Sequence, residues 1–177
     1  MLEMKDPRYP IGKWERHEEL TPEGRRNMID AIAATPAALR AAVEGLTDAQ
    51  LDTLYREGGW TLRQVVHHVP DSHLNSYVRF KLALTEENPT IRPYDEASWA
   101  ELPDSRTTPV AISLTLLECL HDRWVRLLRG MRDSDFRRTL EHPENGQMTL
   151  DTMLSLYSWH GRHHTGHITA TREERGW

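Results

Sequence analysis

Apolar residues recur along most of the chain at helical spacing. Met28, Ala31, Ile32, Leu39, Ala42, Val43 and Leu46 return at three- and four-residue steps and predict a first amphipathic helix. Thr21-Pro22 opens it, with threonine as the cap and proline at the first helical position, where a missing N–H costs nothing. Thr35-Pro36 is expected to interrupt this first helix and kink it. Thr47 with Gln50 is a capping-box pattern that opens one short turn, and Gly58-Gly59 ends that connection. A second capping box, Thr61 with Gln64, opens a helix carrying Leu62, Val65, Val66, Val69, Phe80 and Leu84. Thr108-Pro109 starts a third, with Ile112, Leu116, Leu117, Leu120, Trp124, Leu127 and Leu128 on one face and Gly130 at its end. Thr149 caps a fourth, which runs to about Arg175-Gly176.

The segments between these helices are irregular. Pro7 and Pro10 keep the first twenty residues out of a helix, so they predict an arm. Residues 86–107 hold Pro89, Pro93 and Pro103 and predict a long loop between helices two and three, of a kind that often carries function. Pro143 and Asn145-Gly146 predict a turn or small hairpin within 133–148. There is no repeat and no linker. Four amphipathic helices of about twenty residues bury their stripes best against one another, which predicts an all-α four-helix bundle spanning 1–177 as one domain.

Composition narrows the function. The net charge of -5 argues against a general nucleic-acid binder. No apolar run reaches the ~18 residues of a membrane span, and the first twenty residues lack the apolar core of a secretory signal, so the expected compartment is the cytoplasm. The single cysteine, Cys119, excludes an internal disulfide. It sits beside Leu116, Leu117 and Leu120 and is expected to be a buried, inert thiol. The unusual feature is ten histidines, seven of them in two short segments: His67, His68 and His73, then His160, His163, His164 and His167.

On the fourth helix, Leu150, Met153, Tyr157, His160, His164 and His167 are spaced 3, 4, 3, 4 and 3, which is one face. The apolar stripe turns into a histidine stripe without changing direction. His160 and His164 lie on adjacent turns, ~5–6 Å apart at Cβ, and can close on one metal ion. His163 lies about 100° from His164 and should point elsewhere. The zincin motif is not present, because Gly161 stands where that motif has its glutamate. A third ligand must come from helix two. Its apolar stripe is centred near His73 and flanked by His68, while Pro70 weakens the phase estimate beyond it, so periodicity leaves His68 and His73 both open.

Several motifs occur together: Tyr9-Pro10-Ile11-Gly12; the run Gly58 to His68, which begins Gly58-Gly59-Trp60; and Asp71-Ser72-His73 with Asn75-Ser76-Tyr77. Further along come Ile91 to Glu96, Trp159-His160, His163-His164, His167-Ile168-Thr169 and Gly176-Trp177. With these the chain resembles the DinB superfamily of metal-binding four-helix bundles, and most closely its YfiT-like branch of metal-dependent hydrolases. The resemblance implies a ligand eight residues after Trp60, which is His68, with His160 and His164 as the other two. It also implies a homodimer, with six tryptophans as a source of exposed aromatic surface. Pro70 departs from the family pattern two positions after His68.

Three histidines leave coordination positions open, the pattern of a catalytic divalent metal, with zinc expected first and nickel second. Such a site can activate water, or a thiol that ionises on binding. The resemblance implies both chemistries: a hydrolase, or a bacillithiol-like S-transferase acting on a low-molecular-weight thiol. A thiol needs no protein general base, which favours the transferase. A third reading is a stress-associated bundle in which the metal only adds stability. Asp71, one turn beyond His68, either orients a ligand or faces solvent. Tyr94 and Asp95 on the long loop are candidates for substrate contact.

Overall fold

A computed structural model describes residues 6–177. Four long helices form the bundle: α1 (Pro22–Val43), α3 (Leu62–Thr85), α6 (Val110–Gly130) and α7 (Leu150–Arg175). Short helices α2 (Asp48–Leu51), α4 (Glu96–Ala100) and α5 (Pro103–Thr107) lie in the connections. A small antiparallel hairpin, β1 (Thr139–His142) with β2 (Gly146–Thr149), precedes α7. α1 packs on α6 and α7, and α3 packs on the same two. Helices α1 and α3 therefore face each other across the bundle, as do α6 and α7.

The caps act as the sequence predicts. The Thr21 hydroxyl accepts from Gly24 N, both capping boxes close reciprocally, and Thr149 accepts from Thr152 N. Gly176 ends α7 at a φ of 70°, a left-handed position that glycine adopts at little cost.

Four expectations are corrected. Helix α1 runs through Pro36 unbroken. Residues 86–107 are not one long loop: Asp95 caps α4 by accepting from Ser98 N, Pro103 opens α5, and both short helices pack on α3. On α6 the buried stripe is Leu114, Leu117, His121, Trp124 and Leu128, whereas Ile112 and Leu116 are 59% and 44% exposed. Cys119 shares their outer face, at steps of four and three, so it is an exposed free thiol rather than a buried one.

The core has two apolar halves. One gathers Ile29, Ile32, Phe80, Trp124, Leu128, Met153 and Leu154. The other gathers Leu39, Leu62, Val66, Val69, Leu114, Leu117 and Ile168. On every long helix the residues between the halves are polar. These are Thr35 on α1, Ser72 and His73 on α3, His121 on α6, and His160 and His164 on α7. A polar layer thus crosses the bundle at mid-height, and the candidate ligands lie in it.

Near one end, Arg25 donates to both carboxylate oxygens of Asp151, at 2.8 and 2.7 Å, and Asp151 also accepts from Leu20 N. This buried pair ties α1 to the start of α7, and its full set of hydrogen bonds offsets the cost of desolvating two charges.

Candidate metal centre

His68 on α3 and His160 and His164 on α7 converge, with one nitrogen from each lying within 4.8 Å of the others. His68 Nε2 is 3.3 Å from His160 Nε2. Two ligands of a tetrahedral ion with bonds of ~2.0–2.1 Å stand roughly 3.3 Å apart, so this pair already has the spacing of a ligand edge. Burial lowers the His68 pKa to about 4, with His163 and His167 adding to the shift, and holds His160 and His164 well below the usual imidazole value. All three are therefore neutral at pH 7, the form that binds metal.

Two hydrogen-bond chains orient the α7 imidazoles. Pro36 has no N–H, so the carbonyl of Ile32, four residues back, lacks its helical donor. His121 Nδ1 lies 2.8 Å from that oxygen. A carbonyl only accepts, so His121 carries its proton on Nδ1 and presents a lone pair at Nε2. His73 Nδ1, 2.8 Å away, must donate to it, which leaves His73 Nε2 as an acceptor. His160 Nδ1, at 3.1 Å, donates in turn. The His160 lone pair is thereby set on Nε2, the atom that faces His68. Burial holds His73 well below the usual range and His121 at about 4, which keeps the chain neutral.

The second chain is shorter. His167 Nε2 lies 3.3 Å from the carbonyl of Arg8 and donates to it. His167 Nδ1 then accepts from His164 Nδ1 at 3.4 Å, which sets the His164 lone pair on Nε2. Two further bonds hold the arm against α7: Trp159 Nε1 donates to Gly12 O, and Trp14 Nε1 donates to Ser155 Oγ. Gly161 has a separate reason to be glycine. A Cβ there would meet Thr35 at 2.6 Å, so its absence lets α1 and α7 close beside His160.

The remaining candidates fall elsewhere. His67 pairs with Ser113 Oγ at 2.7 Å and Thr108 O at 3.0 Å, pinning α3 to the start of α6. His73 is a partner of the centre through His160. Helix α3 continues through Pro70, so the departure at that position leaves His68 in reach of the other two. His163 leaves the face of His160 and His164 but is buried, stacked on Trp159 with ring centroids 4.1 Å apart. It forms a rival triplet with His164 and His167. That triplet spans little more than one turn of a single helix, and its His167 is already engaged on both ring nitrogens.

Asp71 is half-buried, and burial followed by the Asp104 charge raises its pKa to about 6. Its side chain makes no hydrogen bond to the three histidines among the described residues. Asp95 is the α4 cap. Tyr94, packed against Trp99, lines the cavity beside the centre, and burial raises its phenol pKa. That cavity measures about 620 Å³, and His68, His160 and His164 all line it. Sequence reasoning missed His121, Arg79 and His142; Arg79 and His142 line the cavity.

Comparisons with known proteins identify the family. Residues 31–168 match the model of the DinB superfamily. The chain is 54% identical over 98% of its length, and 100% of the relative's, to a protein of Bacillus mycoides named "Putative metal-dependent hydrolase". A Bacillus cereus protein of the same name matches to the same extent. A solved structure, YfiT from Bacillus subtilis, is 51% identical and covers 97% of this chain and 98% of its own, with a TM-score of 0.94. It is described as "a probable metal-dependent hydrolase with an unusual four-helix bundle topology". The four-helix bundle protein TT2238 shares the fold at 19% identity and a TM-score of 0.57, over 82% of this chain and 98% of its own. By family model, relatives and fold alike, the chain belongs to the DinB superfamily.

Proposed function

We propose that the chain is a metal-dependent enzyme in which His68, His160 and His164 hold one divalent ion, and that its reaction attaches a low-molecular-weight thiol to an electrophile. A bound divalent ion at such a centre supplies Lewis acidity and lowers the pKa of a thiol or water that reaches it. The observation that carries the thiol reading is the donor set. The centre offers three neutral imidazoles, those of His160 and His164 with their tautomers set, and among the described residues no carboxylate is hydrogen-bonded to them. Water-activating peptidases place a protein base beside their metal, whereas a thiol, more acidic than water from the start, would need none. In the transfer, sulfur bonds to the electrophilic carbon and the leaving group departs with the bonding pair. Zinc is the ion we assign first, with nickel second.

The thiol requirement gives the test. With cysteine as thiol and 1-chloro-2,4-dinitrobenzene as electrophile, chloride release above the uncatalysed thiol reaction should need both protein and metal. Turnover of ester substrates at full rate without thiol would reverse the reading. The names of the relatives favour that second reading, a hydrolase, for which water replaces the thiol. Inertness in both assays, with metal loss lowering only the melting temperature, would leave the ion a stabilising role.

The histidine chain makes its own prediction. His73→Leu removes the acceptor for His160 Nδ1, and metal affinity should fall about 10–100-fold, the usual effect of removing a ligand's hydrogen-bond partner. His73→Gln offers a carbonyl to His160 and an N–H to His121, and should recover most of the loss. Equal affinity in the leucine and glutamine variants, by chelator competition, would show that the chain does not position His160.

A further inference from the structure

Three arginines are buried: Arg25, Arg63 and Arg79, at 5%, 5% and 7% exposure. Two of them are paired as buried charges usually are. Arg25 holds Asp133 and Asp151, and Arg63 holds Asp48 and Asp52. Arg79 has no carboxylate within ion-pair distance among the described residues. Among the described residues its one hydrogen bond runs from Nη2 to the carbonyl of Arg92, at 3.2 Å. A guanidinium carries five N–H donors. The nitrogens of Arg79 are not among the fully enclosed atoms that lack a partner. Arg79 lines the cavity together with His68, His160 and His164.

We propose that Arg79 is an anion-binding subsite of this cavity, taking the carboxylate or phosphate of a small substrate that also reaches the three-histidine centre. Guanidinium matches either oxyanion with two parallel N–H bonds, and a site already drawn out of water pays little further desolvation on binding. His142 stands close enough for the Arg79 charge to act on it. Burial first, then that charge, lowers its pKa, so it is a neutral hydrogen-bonding neighbour and not a second cation. Glu96 and Glu144 also line the cavity, but both are exposed and neither pairs with Arg79. They are solvated charges, whereas Arg79 is buried. The link to a substrate rests on the proposed metal-dependent reaction, whereas anion binding at Arg79 is read without any turnover.

The experiment uses the zinc-loaded protein, with succinate and methylphosphonate as separate probes of the two oxyanions. The Arg79 Nε–H resonance should shift saturably with at least one of them, and the preferred probe names the substrate's anion. Arg79→Met should weaken that binding at least about tenfold by calorimetry, as expected for loss of a charge-assisted hydrogen bond. Arg79→Lys, which keeps the charge, should fall between. The wild-type resonance keeps the test alive if the methionine variant does not fold. No shift up to about 10 mM of either probe would overturn the proposal. So would an anion that alters the visible spectrum of cobalt-loaded protein while leaving the Arg79 resonance unmoved, since it would then sit on the metal alone. An inactive enzyme that still binds the probe at Arg79 would leave the subsite standing and remove only the reaction assigned to it.

Discussion

Replacing His68, His160 or His164 with alanine is expected to abolish tight metal binding, and the same change at His163 is expected to leave it intact. Structural zinc sites release about 10–16 kcal/mol, roughly 3 kcal/mol per ligand, so losing one of three should weaken affinity at least about a hundredfold. His164 is common to the two triplets that the fold brings together, so it does not discriminate between them. His68 and His160 belong only to the first, and His163 and His167 only to the second. His167→Ala also removes the acceptor for His164 Nδ1, so a loss of about 10–100-fold is expected there. The decisive pair is therefore His68→Ala against His163→Ala, with metal content measured on untagged protein. A full site in the first variant and an empty one in the second would move the centre to His163, His164 and His167.

The route from sequence to this centre shows what periodicity can and cannot reach. The phase of α7 put His160 and His164 on its buried stripe, because five steps of three or four residues leave little room for error. The same phase turned His163 away from them, and it does leave their face. It does not reach solvent, because the arm lays Tyr9 beside it and Trp159 stacks on it. The choice between His68 and His73 was closed to helix phase alone, since both take part: one lines the cavity and the other stands behind His160. His121 could have been found from Pro36. A proline within a helix frees the carbonyl four residues back, and a buried histidine on a neighbouring helix is a natural donor for it. Which neighbour supplies that donor depends on helix order around the bundle, and local spacing carries no information on it. The exposure of Cys119 escapes local sequence for a related reason. Leucine neighbours in sequence point in several directions on a helix, and the outer face of α6 carries Ile112 and Leu116 as well.

Acid is expected to unfold the metal-free protein over a narrow range below pH 6.5, with more than one proton taken up. His68, His121, His163 and His167 are each held at about 4 in the folded chain, with burial the first cause in every case. In the unfolded chain each returns to about 6.5. Between these values the unfolded state binds protons that the folded state refuses, so stability falls as pH falls. The loss begins near 6.5 and ends near 4. At pH 5 a histidine so shifted contributes at most about 2 kcal/mol to the loss, so the three most enclosed, His68, His121 and His167, together remove up to about 6 kcal/mol, comparable with the whole stability of many domains. Asp71 acts in the opposite direction. Its folded value of about 6 lies above its ordinary one, so it favours the fold in mild acid and offsets part of the loss. Metal binding opposes the transition by stabilising the folded state, which should shift the acid midpoint downward with added zinc. Below that midpoint, metal release and loss of helical circular dichroism should coincide, because the imidazoles stay neutral until the bundle opens. A melting temperature unchanged between pH 6.5 and 4.5 in the metal-free protein would mean that these histidines titrate freely in the fold. The buried neutral layer described here would then be wrong.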